Sequence, residues 1–584
     1  MSSDTYPGIR CIDDLFTGWR CPRQLAERLT RRAEEFPGSY WLQASPGTYI
    51  EKPSGAGSTH QFLEKTRVLN EFRKILRERY PGIVEVYPGP YQDLLDATAR
   101  ESGGSGSGGS KQGHGIQELE SATLELLSQW GASPHTEALH GTPDSPEFSE
   151  STEPGILNGV MISRGRILFL DLIQRGAYGG LSITLLKAAS KVKDGYVREA
   201  AWLSQGLTAA GYQVDDVNVL YLNKDYPRNS SEIFSIQRQK KGHKFMKADI
   251  AAEVQRIEAA LGSPPYRIES IPGCRSSSCP FCGSENPLPG PGDISRLHRS
   301  GGLASKLRAQ GITRVKDLHL VKPPLKQKIK PYHWIQHQAE LQGQEQVKTE
   351  ALQNFLDGLK WPLYFLDFEC YLEALPRWNG VGMWEHVPFL YSAYRMDNPG
   401  SRSESGFSPG SPEKVGSYLI EPGEDRRGEL ADALIRDLGS EGSILVYGIH
   451  FEKAVLRRLA SLLDTRRKGL EQIIHRLVDL QKPFAEFSVY HPDQGGKISL
   501  KTVLPVLTRH GYEDDKVSSG SDAFIGYYYL MHPELPVPES WDPYARYVRE
   551  DPRRFYREVE SYCDTDTYGM AYLVNALINR LKKG

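Results

Sequence analysis

Two carboxylates close an apolar run in the second half of the chain. Asp367 and Glu369 end the segment Tyr364-Phe-Leu-Asp-Phe-Glu369. Residues two apart on a strand project to the same face of a sheet, so we expect both acids to point the same way. Like charges this close repel unless a cation lies between them, and oxygen ligands favour Mg²⁺ or Mn²⁺. The pair alone is a weak signal, because Asp-x-Glu also occurs at solvated strand ends.

Two later segments offer further groups for the same site. Residues 443–447 predict a strand, and Glu452 follows near the start of a helix, where a loop can deliver it to the edge of the first strand. Tyr562 and Asp566 fall within a predicted C-terminal helix and, being four residues apart, share one of its faces. The sequence therefore predicts a site built from three distant segments.

Five other residues are weaker candidates near this site. Asp479 is expected beside it, and Asp564 is expected to point off the helix face that carries the tyrosine. Lys501 could reach a phosphate, although a surface salt bridge explains it equally well. Cys370 and Cys563 are expected to pack beside the carboxylates.

Three other cysteines crowd into a loop rich in Pro and Gly. Cys274, Cys279 and Cys282 suggest metal ligation rather than a disulfide framework. Zinc and a cubane iron–sulfur cluster both need a fourth ligand, and the spacing does not identify it. The chemistry alone favours zinc.

The elements that must position these groups follow from the hydrophobic pattern. After two opening helices, the N-terminal half reads as strand, strand, helix, strand, and the C-terminal half alternates strands and helices, which predicts an α/β multidomain protein. The predicted blocks are 1–290, a small helical connector at 291–350, and 351–584. The predicted strands are 167–172, 181–186, 217–222, 364–368, 388–395, 417–420 and 444–447. The predicted helices are 24–34, 60–79, 196–210, 303–310, 315–320, 430–438, 451–462, 500–508 and one from about 553.

Composition limits the functional classes. The chain has 584 residues, with 71 Lys plus Arg against 73 Asp plus Glu, a net charge of −2. This balance excludes a protein that binds phosphates by bulk charge, so any nucleic-acid contact must be local. The sequence begins with no signal-peptide pattern and holds no apolar run of membrane-spanning length, so we expect a cytoplasmic protein. The Gly/Ser run 102–110 reads as a linker, either native or engineered.

One segment does concentrate positive charge. Between Ile294 and Trp334 there are ten basic residues and one acid, Asp317. Aromatic side chains adjoin the charge, a combination typical of single-strand nucleic-acid binding, although a charge run is more often a solvated face. The candidate contacts are Lys322, Lys326, Lys328, Lys330 and Trp334.

The C-terminal motifs resemble the DEDD exonuclease family, which has the ribonuclease H-like fold with a mixed sheet. The resemblance implies two Mg²⁺ or Mn²⁺ ions held by Asp367, Glu369, Glu452 and Asp566, with Asp367 bridging them. Tyr562 would orient the attacking water, as in the tyrosine subclass. The middle motif departs from the family, because Gly448 and Glu452 replace its asparagine and aspartate. Glutamate can still bind a metal, but its longer side chain shifts the geometry.

The whole series of segments is similar to a bacterial family that fuses a RecB-like iron–sulfur nuclease module to this exonuclease-like domain. The resemblance implies a PD-(D/E)xK core with Asp171 and Lys187, and Cys21 as fourth ligand of a [4Fe–4S] cluster, with Cys11 as the competitor. Leu185 and Leu203 stand where this core carries an acid and a glutamine. We therefore expect the module to keep its fold and to have lost its nuclease chemistry, with Asp171 and Lys187 vestigial or DNA-contacting.

Taken together, these motifs predict a metal-dependent 3′–5′ exonuclease that acts on DNA, the favoured partner over RNA. A non-catalytic nucleic-acid-binding or scaffold protein is the alternative that the departures at 185 and 452 suggest. An RNA-directed exonuclease is the third.

Overall fold

The computed structural model describes residues 12–35, 56–87, 89, 116–129, 155–164, 166–224, 233–240, 242–262, 266–267, 271, 290–398, 410–511 and 517–583. The chain divides into two compact units. Unit 1 comprises 1–287, 373–385 and 534–543, and unit 2 comprises 288–372, 386–533 and 544–584. The predicted three-part division at 290 and 350 stays a prediction.

Unit 1 contains a six-stranded mixed sheet whose strands lie side by side in chain order. Its first and fourth neighbour pairs are parallel and the other three are antiparallel. The strands are β1 (Val84–Glu85), β2 (Ile156–Ser163), β3 (Arg166–Arg175), β4 (Leu181–Lys187), β5 (Val214–Leu222) and β6 (Phe234–Arg238).

Helices supply the apolar side chains that cover this sheet. One core joins Leu170 and Leu185 of the sheet to Leu203, and a second joins Phe72 to Leu172 and other strand residues. The helices are α1 (Ile12–Arg20), α2 (Pro22–Glu35), α3 (Ala56–Arg79), α4 (Ile116–Gln129), α5 (Asp194–Ala209) and α6 (Ile250–Leu261).

Unit 2 contains a five-stranded mixed sheet in the order β10-β9-β8-β11-β12. The strand β8 is central, antiparallel to β9 and parallel to β11, and its apolar run is buried along its length. The strands are β8 (Leu363–Tyr371), β9 (Val387–Met396), β10 (Glu413–Leu419), β11 (Ser443–Val446) and β12 (Leu477–Asp479). Two short strands, β7 (Gln346–Val347) and β13 (Val489–Tyr490), form a separate antiparallel pair.

The core of unit 2 lies between this sheet and the helices packed on it. Phe365 and Leu445 of the sheet meet Val503 and Leu573 in one buried cluster. The helices are α7 (Leu303–Ala309), α8 (Pro331–Gln342), α9 (Thr349–Asp357), α10 (Arg427–Leu438), α11 (His450–Leu462), α12 (Arg467–Arg476), α13 (Lys482–Ala485), α14 (Leu500–Thr508), α15 (Gly520–Met531), α16 (Pro543–Glu550) and α17 (Pro552–Lys583). Residues Val315–Leu320, predicted as a helix, form a 3₁₀ helix.

The α/β prediction is confirmed, since both large sheets are mixed and helices pack against them. The pattern missed β2, because Asn158 and Gly159 interrupt its apolar run; Asn158 has a positive φ of 53°. Within the described part of the chain, no helix combines the length and apolar character that a membrane span requires.

Candidate metal centre

Strand β8 carries the first two carboxylates. Asp367 pairs across the sheet with Ser392, and Glu369 pairs with Leu390. Asp367 is half-buried and Glu369 is buried. The apolar residues that alternate with them pack into the core, so the strand cannot rotate to carry both acids into solvent.

The next carboxylate enters at the turn between β11 and α11. The backbone N–H of Gly448 donates to Oδ1 of Asp479 at 3.1 Å, and the N–H of Gln481 donates to the same oxygen at 2.9 Å. Gly448 has a φ of +93°, which favours glycine at this position. The turn leads into the first turn of α11, where Glu452 is only 4% exposed. Asp479, predicted to lie beside the site, holds this turn.

Helix α17 contributes the remaining groups. The hydroxyl of Tyr562 hydrogen-bonds to the carboxylate of Asp566, as their four-residue spacing predicts. The sulfur of Cys563 lies 3.6 Å from Oδ2 of Asp367. Asp564 points elsewhere: it accepts from Oγ of Ser392 at 2.6 Å and from Nζ of Lys414 at 2.8 Å.

Lys501 lies next to this group on α14. Its ammonium is 4.7 Å from the centre of the Tyr562 ring and donates to the backbone oxygen of Ser518. Its charge also lowers the pKa of Glu369. Lys501 is therefore the positive charge nearest to the phenol among the contacts described.

Burial is the largest cause of the raised pKa values of Asp367, Glu369 and Glu452, and neighbouring charges come after it. Burial raises the pKa of Asp367 well above its usual value, and the charges of Asp566, Glu369 and Glu452 raise it further. Asp367 thus feels all three of the other carboxylates, which come from different segments of the chain. Burial, followed by Asp566, raises the pKa of Glu369 to about 8. Burial, followed by the charge of Asp479, raises the pKa of Glu452 to about 8.

These residues fit a divalent cation. A cation would offset the mutual repulsion of these acids. Oε2 of Glu452 is buried and has no hydrogen-bond partner among the described residues, a rare condition that metal ligation would explain. Ligand atoms of Asp367, Glu369 and Cys563 lie within 4.8 Å of one another. A donor set dominated by carboxylate oxygens suits Mg²⁺ or Mn²⁺.

Asp171 and Lys187, the pair for which the resemblance implies a PD-(D/E)xK core, lie in unit 1, and the structure shows their partners. Nζ of Lys187 donates to Glu199 at 2.8 Å, and Oδ2 of Asp171 accepts the N–H of Leu186, also at 2.8 Å. Leu185 and Leu203 are both in the apolar core. Sequence reasoning missed Glu199 as the partner of Lys187; its place on α5, beside the buried Ala200 and Ala201, is the signal that could have found it.

Only one of the four predicted cluster cysteines is described. Cys21 is buried immediately before α2. Two residues later, Nε of Arg23 donates to the backbone oxygen of Ile271 at 2.7 Å, and Ile271 is three residues before Cys274 in the sequence. Cys274, Cys279 and Cys282, the competitor Cys11, and the Gly/Ser run 102–110 lie outside the described residues.

The predicted nucleic-acid contacts separate into two kinds. Trp334 is half-buried against the apolar core beneath the lysines, with its ring 5.8 Å from that of His337. Only part of the indole is therefore available for stacking on a base. The lysine side chains are all exposed, namely Lys322, Lys326, Lys328 and Lys330.

Comparison with protein families gives one match. Residues 364–499 match the model of a domain of unknown function, DUF2779. The matched span contains Asp367, Glu369 and Glu452, and it ends before Tyr562 and Asp566. Comparison with curated proteins found no match, and neither did comparison with solved structures.

Proposed function

We propose that this protein is a metal-dependent nuclease, a 3′–5′ exonuclease that hydrolyses phosphodiester bonds of DNA in a ribonuclease H-like domain within unit 2. The observation that carries the proposal is the grouping of Asp367 and Glu369 with the sulfur of Cys563, whose ligand atoms lie within 4.8 Å of one another, close enough to Glu452 and Asp566 for their charges to raise the pKa of Asp367. Acids from three separate segments would not be brought together away from solvent without a function for their charge.

Two Mg²⁺ or Mn²⁺ ions would be held by Asp367, Glu369, Glu452 and Asp566. When bound, such ions stabilise the attacking oxygen and the leaving oxygen of an in-line displacement at phosphorus. Glu452 replaces the shorter aspartate of the family motif, and its partnerless Oε2 leaves a ligand atom available.

The side chains beside the acids have separate tasks. Burial and the charges of Asp566 and Glu369 raise the pKa of Tyr562, so the phenol keeps its proton. Its hydroxyl donates to Asp566, and its oxygen can accept from the attacking water and orient it. Lys501 brings a positive charge close to this phenol and would stabilise the negative charge of the scissile phosphate. A water molecule attacks phosphorus and gives up one proton to solvent, the bond from phosphorus to the 3′ oxygen breaks, and the leaving oxygen takes up a proton.

Unit 1 would be a RecB-like module that binds nucleic acid without cutting it. Leu185 cannot bind a metal and lies in the core, and Lys187 is engaged by Glu199. A [4Fe–4S] cluster held by Cys21, Cys274, Cys279 and Cys282 stays a prediction, with zinc as the alternative. The bond from Arg23 to Ile271 supports Cys21 as the fourth ligand, because it ties the helix after Cys21 to the segment before Cys274.

A non-catalytic nucleic-acid-binding protein is the second candidate. Two departures from the families resembled favour this candidate: Leu185 stands where the nuclease core carries an acid, and Glu452 stands where the exonuclease motif carries an aspartate. It predicts binding that survives EDTA, with no cleavage of any substrate under Mn²⁺.

The test is a nuclease assay on DNA and RNA oligonucleotides labelled at either end, with Mn²⁺. We expect stepwise release from the 3′ end of DNA by the wild type. Asp367→Ala should lower the rate at least about a thousandfold, equivalent to ~4 kcal/mol, because it removes the central ligand. Tyr562→Phe should lower it about 10- to 100-fold, as expected for a group that only orients water. Asp432→Ala, which removes an exposed ion pair with Arg466, is the control.

Three results separate the candidates. Cleavage of RNA alone would support the RNA-directed alternative. Equal cleavage by wild type and Asp367→Ala would contradict the assignment of the site. Binding without cleavage in all arms would favour the non-catalytic candidate.

A further inference from the structure

The thiol of Cys563 lies among the carboxylates, and the proposed hydrolysis does not use it. Cys563 is fully buried, with its sulfur 3.6 Å from Oδ2 of Asp367 and 3.8 Å from the backbone oxygen of the same residue. Ligand atoms of Asp367, Glu369 and Cys563 lie within 4.8 Å of one another. This spacing suits a single ion with a bond of about 2.3 Å to sulfur and about 2.1 Å to oxygen.

A second feature points to an ion at this place. Oε2 of Glu452 is buried without a hydrogen-bond partner among the described residues, and the charge of Glu452 raises the pKa of Asp367. A buried carboxylate oxygen that has no donor among the described residues, on a side chain close enough to act electrostatically on Asp367, is accounted for by a cation.

We propose that this centre also binds a thiophilic divalent cation of the Zn²⁺ or Cd²⁺ type, with Cys563 as a ligand beside Asp367 and Glu369. The proposal rests on the proposed function for the metal-binding role of the carboxylates and adds a sulfur ligand to it. Binding replaces the S–H bond by a sulfur–metal bond and releases one proton to solvent. No electron is transferred.

The position of the thiol explains why this site would bind soft metal ions through sulfur and hard metal ions through the carboxylates alone. The thiol of Cys563 donates a hydrogen bond to Asp367, with its sulfur 3.6 Å from Oδ2. Mg²⁺ forms weak bonds with sulfur and leaves this arrangement in place. Zn²⁺ and Cd²⁺ bind thiolate strongly enough to displace the proton.

The experiment is a Cd²⁺ titration of the full-length protein, followed by the ultraviolet charge-transfer absorption of cadmium–sulfur bonds. Cys563→Ser is compared with the wild type, and Cys370→Ser is the matched control, since Cys370 is also buried and directly follows Glu369. Other cysteines contribute absorption in every variant, so the signal of interest is the difference from the wild type. We expect Cys563→Ser to lose part of the absorption and Cys370→Ser to keep it.

The affinity for Cd²⁺ of the site that gives the Cys563-dependent absorption should fall at least about tenfold in Asp367→Ala, because this variant removes a neighbouring ligand. Saturating Mn²⁺ should compete with it in the wild type, which tests the proposal even if Cys563→Ser and Cys563→Ala fail to fold. Full wild-type absorption in folded Cys563→Ser, or a wild-type absorption of which Mn²⁺ displaces no part, would overturn the sulfur ligand.

Electron paramagnetic resonance measures Mn²⁺ binding by the same variants. It distinguishes failure of the sulfur-ligand proposal from failure of the proposed function. Cys563→Ser should bind Mn²⁺ as the wild type does, whereas Asp367→Ala should not. If Asp367→Ala binds Mn²⁺ normally, the carboxylate centre itself is wrong.

Discussion

Burial controls the protonation of the two glutamates more than neighbouring charge does. It is the largest cause that raises the pKa of both Glu369 and Glu452 to about 8. The unfolded chain exposes these groups to water, where their pKa returns to the ordinary value of 4.5. The folded protein therefore holds more protons than the unfolded one between these two values.

This difference predicts how stability depends on pH. An acid with a raised pKa in the folded state contributes stability below pH 4.5, and that contribution is lost as the pH rises through about 8. In EDTA, we expect the melting temperature to fall across this window. Added Mn²⁺ should raise the melting temperature more at the alkaline end, because there it competes with fewer protons.

The double variant Glu369→Gln/Glu452→Gln is the comparison for this prediction, since amides do not titrate. Its melting temperature should depend less steeply on pH in EDTA. Identical pH dependence in the variant and the wild type would show that the two glutamates do not titrate as described.

At the scale of elements, Asp479 is the link between β12 and the turn that begins α11. One carboxylate oxygen accepts both the N–H of Gly448 and the N–H of Gln481. Asp479→Ala should free the turn and misplace Glu452, lowering Mn²⁺ affinity about tenfold, as removal of outer-shell partners of metal ligands does. Asp479→Asn keeps an acceptor oxygen and should stay near the wild type.

Asp425 offers a matched control, because it accepts from the N–H and the guanidinium of Arg427 at the start of α10. Asp425→Ala should destabilise that helix end and leave Mn²⁺ affinity unchanged. Isothermal titration of each variant with Mn²⁺ makes the comparison. Equal affinity in Asp479→Ala and the wild type would mean that the turn does not position Glu452.

The elements that carry the site were predictable from the sequence, and the contacts between them were not. The strand predicted at 364–368 is β8 (Leu363–Tyr371), and the helix predicted from about 553 is α17, because their apolar periods are long and uninterrupted. Hydrophobic periodicity shows which face of a helix or strand is buried, but it does not show which other elements pack against that face. The strand-to-helix junction before Glu452 indicated that a loop could deliver this residue to the edge of the first strand, and only the family resemblance assigned it to the same metal ions as Asp367. The contact of Cys563 with Asp367 is also tertiary, and the sequence indicated only packing for this residue.

At the scale of the whole molecule, the net charge of −2 makes any attraction for nucleic acid depend on local surfaces. Four exposed lysines between 322 and 330 in unit 2 provide one such surface. The logarithm of the association constant falls linearly with the logarithm of the salt concentration, and each phosphate contact that is lost makes this slope shallower by about 0.7 to 0.9. Changing the four lysines to alanine should therefore reduce the slope by about 3.

Fluorescence anisotropy with a labelled oligonucleotide in EDTA measures this slope without cleavage. The control is the quadruple alanine variant of exposed lysines elsewhere in unit 2, which should keep the wild-type slope. The variant positions for this control are Lys360, Lys468, Lys482 and Lys582. Equal slopes in both quadruple variants would show that the lysines between 322 and 330 do not contact phosphate.

The account as a whole depends on four carboxylates, two buried and two half-buried, that act as one cation-binding group. Mn²⁺ titration followed by electron paramagnetic resonance measures this directly, with Asp367→Ala beside the wild type and Asp432→Ala as the surface control. We predict about two Mn²⁺ ions per wild-type chain, and loss of at least one of them in Asp367→Ala only. An Asp367→Ala protein that binds as many ions as the wild type, with the same affinity, would contradict the account.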